Sequence, residues 1–222
     1  MSYSLVILDL DGTLAHTAPD LILTLNRVIE HYDINSVEIS DIGHLVGHGA
    51  KAMIRKAFDL QEKPLSDEMH EEIFVKFLAD YEANLADQTF LFEGALDAMD
   101  RLTAAGFEFA VCTNKMVRMA EPLLEQLGVK SRFKSITGGD SFKFRKPDPR
   151  HLQETAILGG HAIENCIMVG DTITDISAAD RAEIPSIAVS FGYSEVPVET
   201  LGATATIDHF SQLPKTIMSM CE

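Results

Sequence analysis

Two hydrophobic rhythms alternate along the chain. Strand-like runs rich in apolar and β-branched residues recur at 5–8, 107–112, 133–137, 165–169 and 185–189, and the first, L-V-I-L, is apolar throughout. A run with no polar face is what a parallel strand covered on both sides requires. Between the later runs, apolar residues recur three and four apart, the spacing of one helix face, over 95–105, 116–127, 149–158 and 175–182. Strand–helix alternation of this kind predicts an α/β fold, a doubly wound parallel sheet with helices on both faces. The stretch 15–92 breaks the rhythm. Helical spacing holds over 20–32, 40–46, 50–60 and 66–85, with no strand pattern between them. The predicted organisation is therefore a core made of 1–14 and 93–222, with a small helical domain, 15–92, inserted after the first strand. Hinges are expected near 15–18 and 93–94.

Chemistry collects where the apolar runs stop. The first passes into Asp9, Asp11 and Gly12. Residues two apart in an extended chain share a side, so the two carboxylates converge. Like charges that close repel unless a cation is present or one carboxyl keeps its proton; an Asp-Gly turn closing a strand is the plainer alternative. The run 107–112 ends at Thr113, Asn114 and Lys115. There a hydroxyl and the free N–H groups opening the next helix can cradle a phosphate, though the same residue types also serve as ordinary helix caps. Lys146 stands before Pro147 and Pro149, which stiffen the backbone. That suits a fixed positive charge for a dianion, and equally a solvated basic turn. The run 165–169 leads through Gly170 to Asp171, with Asp175 on the same face if a helix begins there; the helix dipole favours an acid at that place in any case. Sites in such a sheet lie at the carboxyl ends of the strands. Together these residues form a carboxylate-rich, nitrogen-poor set, suited to Mg²⁺ rather than zinc. They fit phosphoryl transfer, where catalysis is mostly positioning and charge neutralisation. No serine or cysteine nucleophile motif competes, and aspartate is a known covalent nucleophile.

The ordered segments D-L-D-G-T-L (9–14), T-N-K (113–115), R-K-P-D-P (145–149) and G-D-T-I-T-D (170–175) resemble the four motifs of the haloacid dehalogenase superfamily of phosphohydrolases. The resemblance covers nearly the whole chain. It implies a Rossmann-like core and, for the insert, a helical cap. It also implies roles: Asp9 as nucleophile, Asp11 as general acid/base, and Thr113, Asn114 and Lys146 as phosphate ligands. Mg²⁺ would be held by Asp9, the backbone carbonyl of Asp11 and Asp171, with Asp175 in support. Dehalogenases of the superfamily lack the second acid of the first motif, so Asp11 favours a phosphatase. T-A-P-D-L (17–21), L-V-G-H-G-A (45–50), G-G-D-S (138–141) and F-G-Y (191–193) resemble the phosphoglycolate phosphatase branch, which implies 2-phosphoglycolate as a small phosphorylated substrate. His16 and Leu45 depart from that branch, where Asp and Trp are frequent. In the insert, Gly43, Gly47 and Gly49 flank His48 and Lys51, which can meet an anionic head group or simply decorate a helix–loop–helix turn. Phe74 and Phe77 read as packing. Another small-molecule phosphatase or a β-phosphoglucomutase-like phosphotransferase would use the same core. A phosphonate hydrolase would need a cap lysine such as Lys51 or Lys56. A phospho-accepting receiver module also gathers Asp, Thr and Lys around Mg²⁺, but the chain length and Asp11 oppose it.

Composition narrows the partners. Lys and Arg number 18 against 34 Asp and Glu, a net charge of -16 over 222 residues, which argues against nucleic acid or an anionic membrane surface. Positive potential for an anionic substrate must then be local. Cys112, Cys166 and Cys221 are too scattered for a disulfide framework, and the first two lie in strand runs as small core residues. Asp9 and Asp11 interrupt the apolar start too early for a signal peptide, and no apolar run has the length of a membrane span. A cytoplasmic monomer or homodimer is expected.

Overall fold

The computed structural model describes residues 3–221, with the backbone alone at His44. Leu5–Leu8 (β1) is buried at every position, because it lies in the middle of the sheet with a parallel neighbour on each side. Those neighbours are Glu108–Cys112 (β4) and Cys166–Gly170 (β6). Among the described residues the sheet has six strands in the order β5-β4-β1-β6-β7-β8, with Phe133–Thr137 (β5), Ser186–Val189 (β7) and Ala205–Ile207 (β8). Every ladder is parallel.

Strand alternation sorts β1 between two apolar layers. Val6 and Leu8 join the cluster under Ala95–Ala104 (α5), Val117–Gln126 (α6) and Leu213–Met220 (α9). Leu5 and Ile7 join the cluster under Pro149–Leu158 (α7) and Ile173–Arg181 (α8). Cys112 and Cys166 are buried in this second layer as free thiols.

Between β1 and β4 the chain forms Ala18–Ile29 (α1), Ile39–Ile42 (α2), Ala50–Asp59 (α3) and Asp67–Ala83 (α4). These helices share their own apolar cluster, which reaches the rest of the protein through Met119 and Tyr193. The chain leaves and returns through two adjacent two-residue strands, Ala15–His16 (β2) and Phe90–Leu91 (β3), paired antiparallel. Asp20, 2% exposed, fastens this junction: its carboxylate accepts hydrogen bonds from the Gln88 and Thr89 N–H groups and the Thr89 hydroxyl.

Some elements differ from the sequence pattern. The helix expected over 40–46 becomes the single turn of α2 followed by a 3-10 segment, Gly43–His48, as the glycines there withhold side-chain support. The helix expected from 175 starts at Ile173, because Thr172 and Asp175 cap it from both ends of the first turn. Strands β2, β3 and β8 and helix α9 were not in the pattern.

Candidate active site

Strand order sets the site. With β4 and β5 on one side of β1 and β6, β7 and β8 on the other, the winding direction reverses at β1, and a crevice opens at the carboxyl ends there. Asp9 and Asp11 leave the end of β1, Thr113 the end of β4, and Asp171 the end of β6. Lys146 comes in on the loop after β5. A cavity of about 610 Å³ lies above them. Its floor includes Asp9, Asp11, Thr113, Asn114, Lys115 and Lys146, and its far wall is Leu21, Val46, Met53, Phe74, Phe77 and Tyr81 from the helical insert.

The Lys146 ammonium is the hub. It lies 2.8 Å from Asp9 Oδ1 and donates to Asp175 Oδ1 at 2.6 Å, and its side chain is 1% exposed. Burial opposes its charge, but Asp175 and Asp9 hold its pKa above the usual lysine range. The loop that carries it is fixed from two directions. Asn114 Nδ2 donates to the Lys146 carbonyl at 3.0 Å, and the Lys146 N–H donates to His151 Nδ1 at 3.3 Å. Asp175 spends its other oxygen on the N–H and hydroxyl of Thr172, so it caps α8 and orients Lys146 at once.

Asp171 is fully buried. It accepts from the Thr13 hydroxyl at 3.0 Å and the Tyr193 N–H at 2.7 Å. Gly12 and Gly192 let the backbone come this close: a Cβ on either would lie 2.3 Å from an Asp171 side-chain atom. Burial raises the Asp171 carboxyl well above its ordinary range, with Asp175 and Asp9 adding to it. Burial likewise pushes Asp9 up to about 7, against the pull of Lys146.

Ligand oxygens of Asp9, Asp171 and Asp175 all fall within 4.8 Å of one another. Three buried carboxylates thus face one buried ammonium. Asp9 Oδ1 is buried, and its one close polar contact is the Lys146 ammonium at 2.8 Å, which leaves a second lone pair free. An oxygen-only donor set with unbalanced negative charge and an open lone pair fits a hard divalent cation such as Mg²⁺.

The remaining expected residues take these places. Thr113 is 1% exposed, and its hydroxyl oxygen accepts from the Lys115 N–H at 3.1 Å, which leaves its hydrogen to donate. His48 and Lys51 stand at the cavity rim; His48 Nε2 is 3.4 Å from Glu195, and Lys51 is paired with Glu71. Phe77 is packed in the insert's cluster, and Phe74 lies under the Lys51 ammonium. His16 donates or accepts at the Tyr193 hydroxyl at 2.9 Å, and Leu45 packs at the edge of the insert's cluster.

Two residues of the site carried no role from the sequence, Lys115 of the T-N-K segment and Tyr81. Lys115 Nζ donates to Asp11 Oδ1 at 2.8 Å, with its side chain 5% exposed. The ammonium also lies over the Tyr81 ring, 4.5 Å from its centroid. Burial works against the Lys115 charge, but Asp11 and Tyr81 keep its pKa above the usual range.

A parallel sheet that collects these oxygens and cations at its switch point has the form of an α/β enzyme with an anion-handling crevice. The family model described as haloacid dehalogenase-like hydrolase matches residues 6–189. A phosphoglycolate phosphatase of Agrobacterium fabrum is 44% identical over 94% of this chain and 90% of its own. That of Mesorhizobium japonicum is 39% identical over 96% and 94%. The crystal structure of a predicted phosphoglycolate phosphatase from Haemophilus somnus superposes with a TM-score of 0.90 at 26% identity, covering 98% of this chain and 99% of that one. The chain belongs to the haloacid dehalogenase-like hydrolase family, and it is a phosphatase.

Among the described residues, no helix is long and apolar enough to cross a membrane.

Proposed function

We propose that this protein is a Mg²⁺-dependent phosphomonoesterase that works through an aspartyl-phosphate on Asp9, with 2-phosphoglycolate as its substrate. The observation that carries the reading is the pair Asp9 and Asp11 at the floor of the cavity, each beside its own buried lysine. Bound Mg²⁺ would neutralise phosphate charge in a pocket rich in carboxylates; Asp9, the Asp11 carbonyl and Asp171 would hold it, with Asp175 behind them.

The chain's own residues divide the rest. Thr113 and Lys146 bind the phosphate oxygens, and Asn114 keeps the two in register. A carboxylate oxygen of Asp9 attacks phosphorus in line with the ester oxygen. The P–O ester bond breaks, and Asp11 gives its proton to the departing alkoxide. Asp11, now a carboxylate, takes a proton from water as that water attacks the phosphorus. The bond to Asp9 breaks, phosphate leaves, and both acids return to their starting states. Segments 1–14 and 93–222 supply this chemistry. The insert, 15–92, acts as a cap that excludes water and contacts the leaving group, with His48 and Lys51 at the rim. The phosphoglycolate reading rests on the relatives' names and on the small polar floor of the cavity.

The test is phosphate release from 2-phosphoglycolate, glucose 1-phosphate, pyrophosphate, AMP and p-nitrophenyl phosphate, with Mg²⁺ and with EDTA. Selective, EDTA-sensitive release from 2-phosphoglycolate, abolished in a folded Asp9→Asn variant, is expected. Release retained by that variant removes Asp9 as nucleophile, and a preference for another ester removes the substrate assignment alone.

A further inference from the structure

Lys115 and Tyr81 hold unspent polar capacity where the leaving group must sit. An ammonium has three donors. One goes to Asp11 Oδ1, and the tyrosine ring covers another side. The third meets no carboxylate or carbonyl among the described residues; the side chain it faces is Tyr81, whose oxygen accepts from an ammonium and keeps its own O–H to donate. Tyr81 is 1% exposed, and its buried O–H finds no acceptor among the described residues. An unpaired buried hydroxyl is costly in a finished core; burial also pushes it up to about 12, so it stays a donor. Both residues line the cavity above Asp9. One comes from the end of β4 and the other from α4 of the insert.

The other cations of the cavity are committed or remote. Lys146 pairs with Asp9 and Asp175, and what it has left goes to the phosphate in the reaction proposed above. Lys51 is paired with Glu71 in an exposed rim position. Arg145 is exposed at the mouth. Lys115 alone is buried and touches Asp11, the residue that protonates the ester oxygen in the reaction proposed above. Whatever the ester oxygen carries therefore lies against Lys115.

We infer that Lys115 and Tyr81 form a subsite for a carboxylate on the leaving group, so that the enzyme selects phosphate monoesters of short hydroxy acids. This rests on the phosphatase mechanism proposed above and assigns its selectivity to two named residues. The ammonium supplies charge and the phenol a second donor, in a site walled by Phe77 and Met119, where little water competes. The carboxylate would bridge core and insert, so an ester without it would bind to a cap held by fewer contacts.

The experiment compares 2-phosphoglycolate with ethyl phosphate, which replaces the carboxylate by a methyl group. For each, kcat/KM is measured in the unmodified enzyme, in Lys115→Met and in Tyr81→Phe. The unmodified enzyme should prefer 2-phosphoglycolate, and each variant should reduce that preference ratio by roughly 10–100-fold, as expected for losing a hydrogen bond to a charged group. Tyr81→Phe keeps the ring and its packing, so it tests the subsite even if Lys115→Met fails to fold. Equal losses on both esters overturn the inference and return Lys115 and Tyr81 to orienting Asp11 or supporting the fold. An enzyme that hydrolyses both esters without preference overturns the subsite while leaving the Asp9 chemistry standing. If no ester is hydrolysed, the mechanism fails and the inference falls with it.

Discussion

Replacing Lys146 by methionine isolates the electrostatics of the site. The substitution keeps most of the apolar stem and removes a charge that is 1% exposed, 2.8 Å from Asp9 and 2.6 Å from Asp175. Three carboxylates whose ligand atoms lie within 4.8 Å are then left without a buried cation. Breaking a buried ion pair by removing one partner costs about 3–5 kcal/mol. In a chain of this size each kcal/mol moves the melting temperature by about 2–4 °C, so the metal-free variant should melt roughly 6–20 °C lower at pH 7.5. The deficit should depend on pH with a definite sign. Asp9 already stands near 7 rather than 3.8 with Lys146 present, and losing the lysine moves it further up. An acid with a raised folded pKa binds more protons folded than unfolded, so its contribution is fully present below the unfolded value and is lost as pH rises through the folded one. Acidification to pH 5.5 should therefore shrink the deficit. Thermal melts of both proteins in EDTA at the two pH values measure it. A variant within about 2 °C of the parent at pH 7.5, or a deficit that grows on acidification, refutes this electrostatic account.

The other predictions are more local. Asp11→Asn should lower kcat by roughly 10²–10⁴-fold, the range for losing a general acid/base, and a variant within a few-fold of the parent contradicts that role. Gly192→Ala places a methyl 2.3 Å from Asp171 Cβ and 2.5 Å from the Gly12 carbonyl oxygen. The loop must shift and loosen the Tyr193 N–H bond to Asp171, so Mg²⁺ titrations of activity should show weaker activation at a stability loss of about 1–3 kcal/mol; an unchanged metal requirement contradicts it. His151 is pushed down to about 4, from 6.5, by burial and then by Lys146. The unfolded chain takes up that proton first, so the stability it supports is present above the unfolded value and lost as pH falls through about 4. His151→Asn should flatten the acid limb of melting temperature against pH, and an unchanged limb would falsify the assignment.

The acids were legible because parallel strands buried on both faces are unbroken apolar runs. A carboxylate at the end of such a run has no ordinary surface explanation, so Asp9, Asp11 and Asp171 stood out. Lys146 was legible through its prolines. Lys115 was visible in T-N-K, but its pairing with Asp11 was not, since that depends on β4 lying next to β1, and strand order is a property of the whole sheet. Tyr81 was hidden for a similar reason: on α4 it is one more apolar-face residue until that helix is laid over the core. The junction strands β2 and β3 are two residues long, too short for any periodicity to register. The sharp turn into the 3-10 segment at Gly43–His48 follows from glycine spacing, whose effect on helix length is energetic rather than periodic.

The paired strands at the junction carry a consequence for how this enzyme can diversify. Ala15 pairs with Leu91 and His16 with Phe90, so the outgoing and returning chain stand side by side. To the sheet, the intervening helices are a closed loop whose two feet occupy neighbouring positions. A different loop with the same footing would leave the spacing of Asp9, Lys146 and Asp171 untouched. On the proposed division of labour the helical segment would be an interchangeable cassette, exchanged to reach new substrates while the phosphate-handling residues are inherited whole.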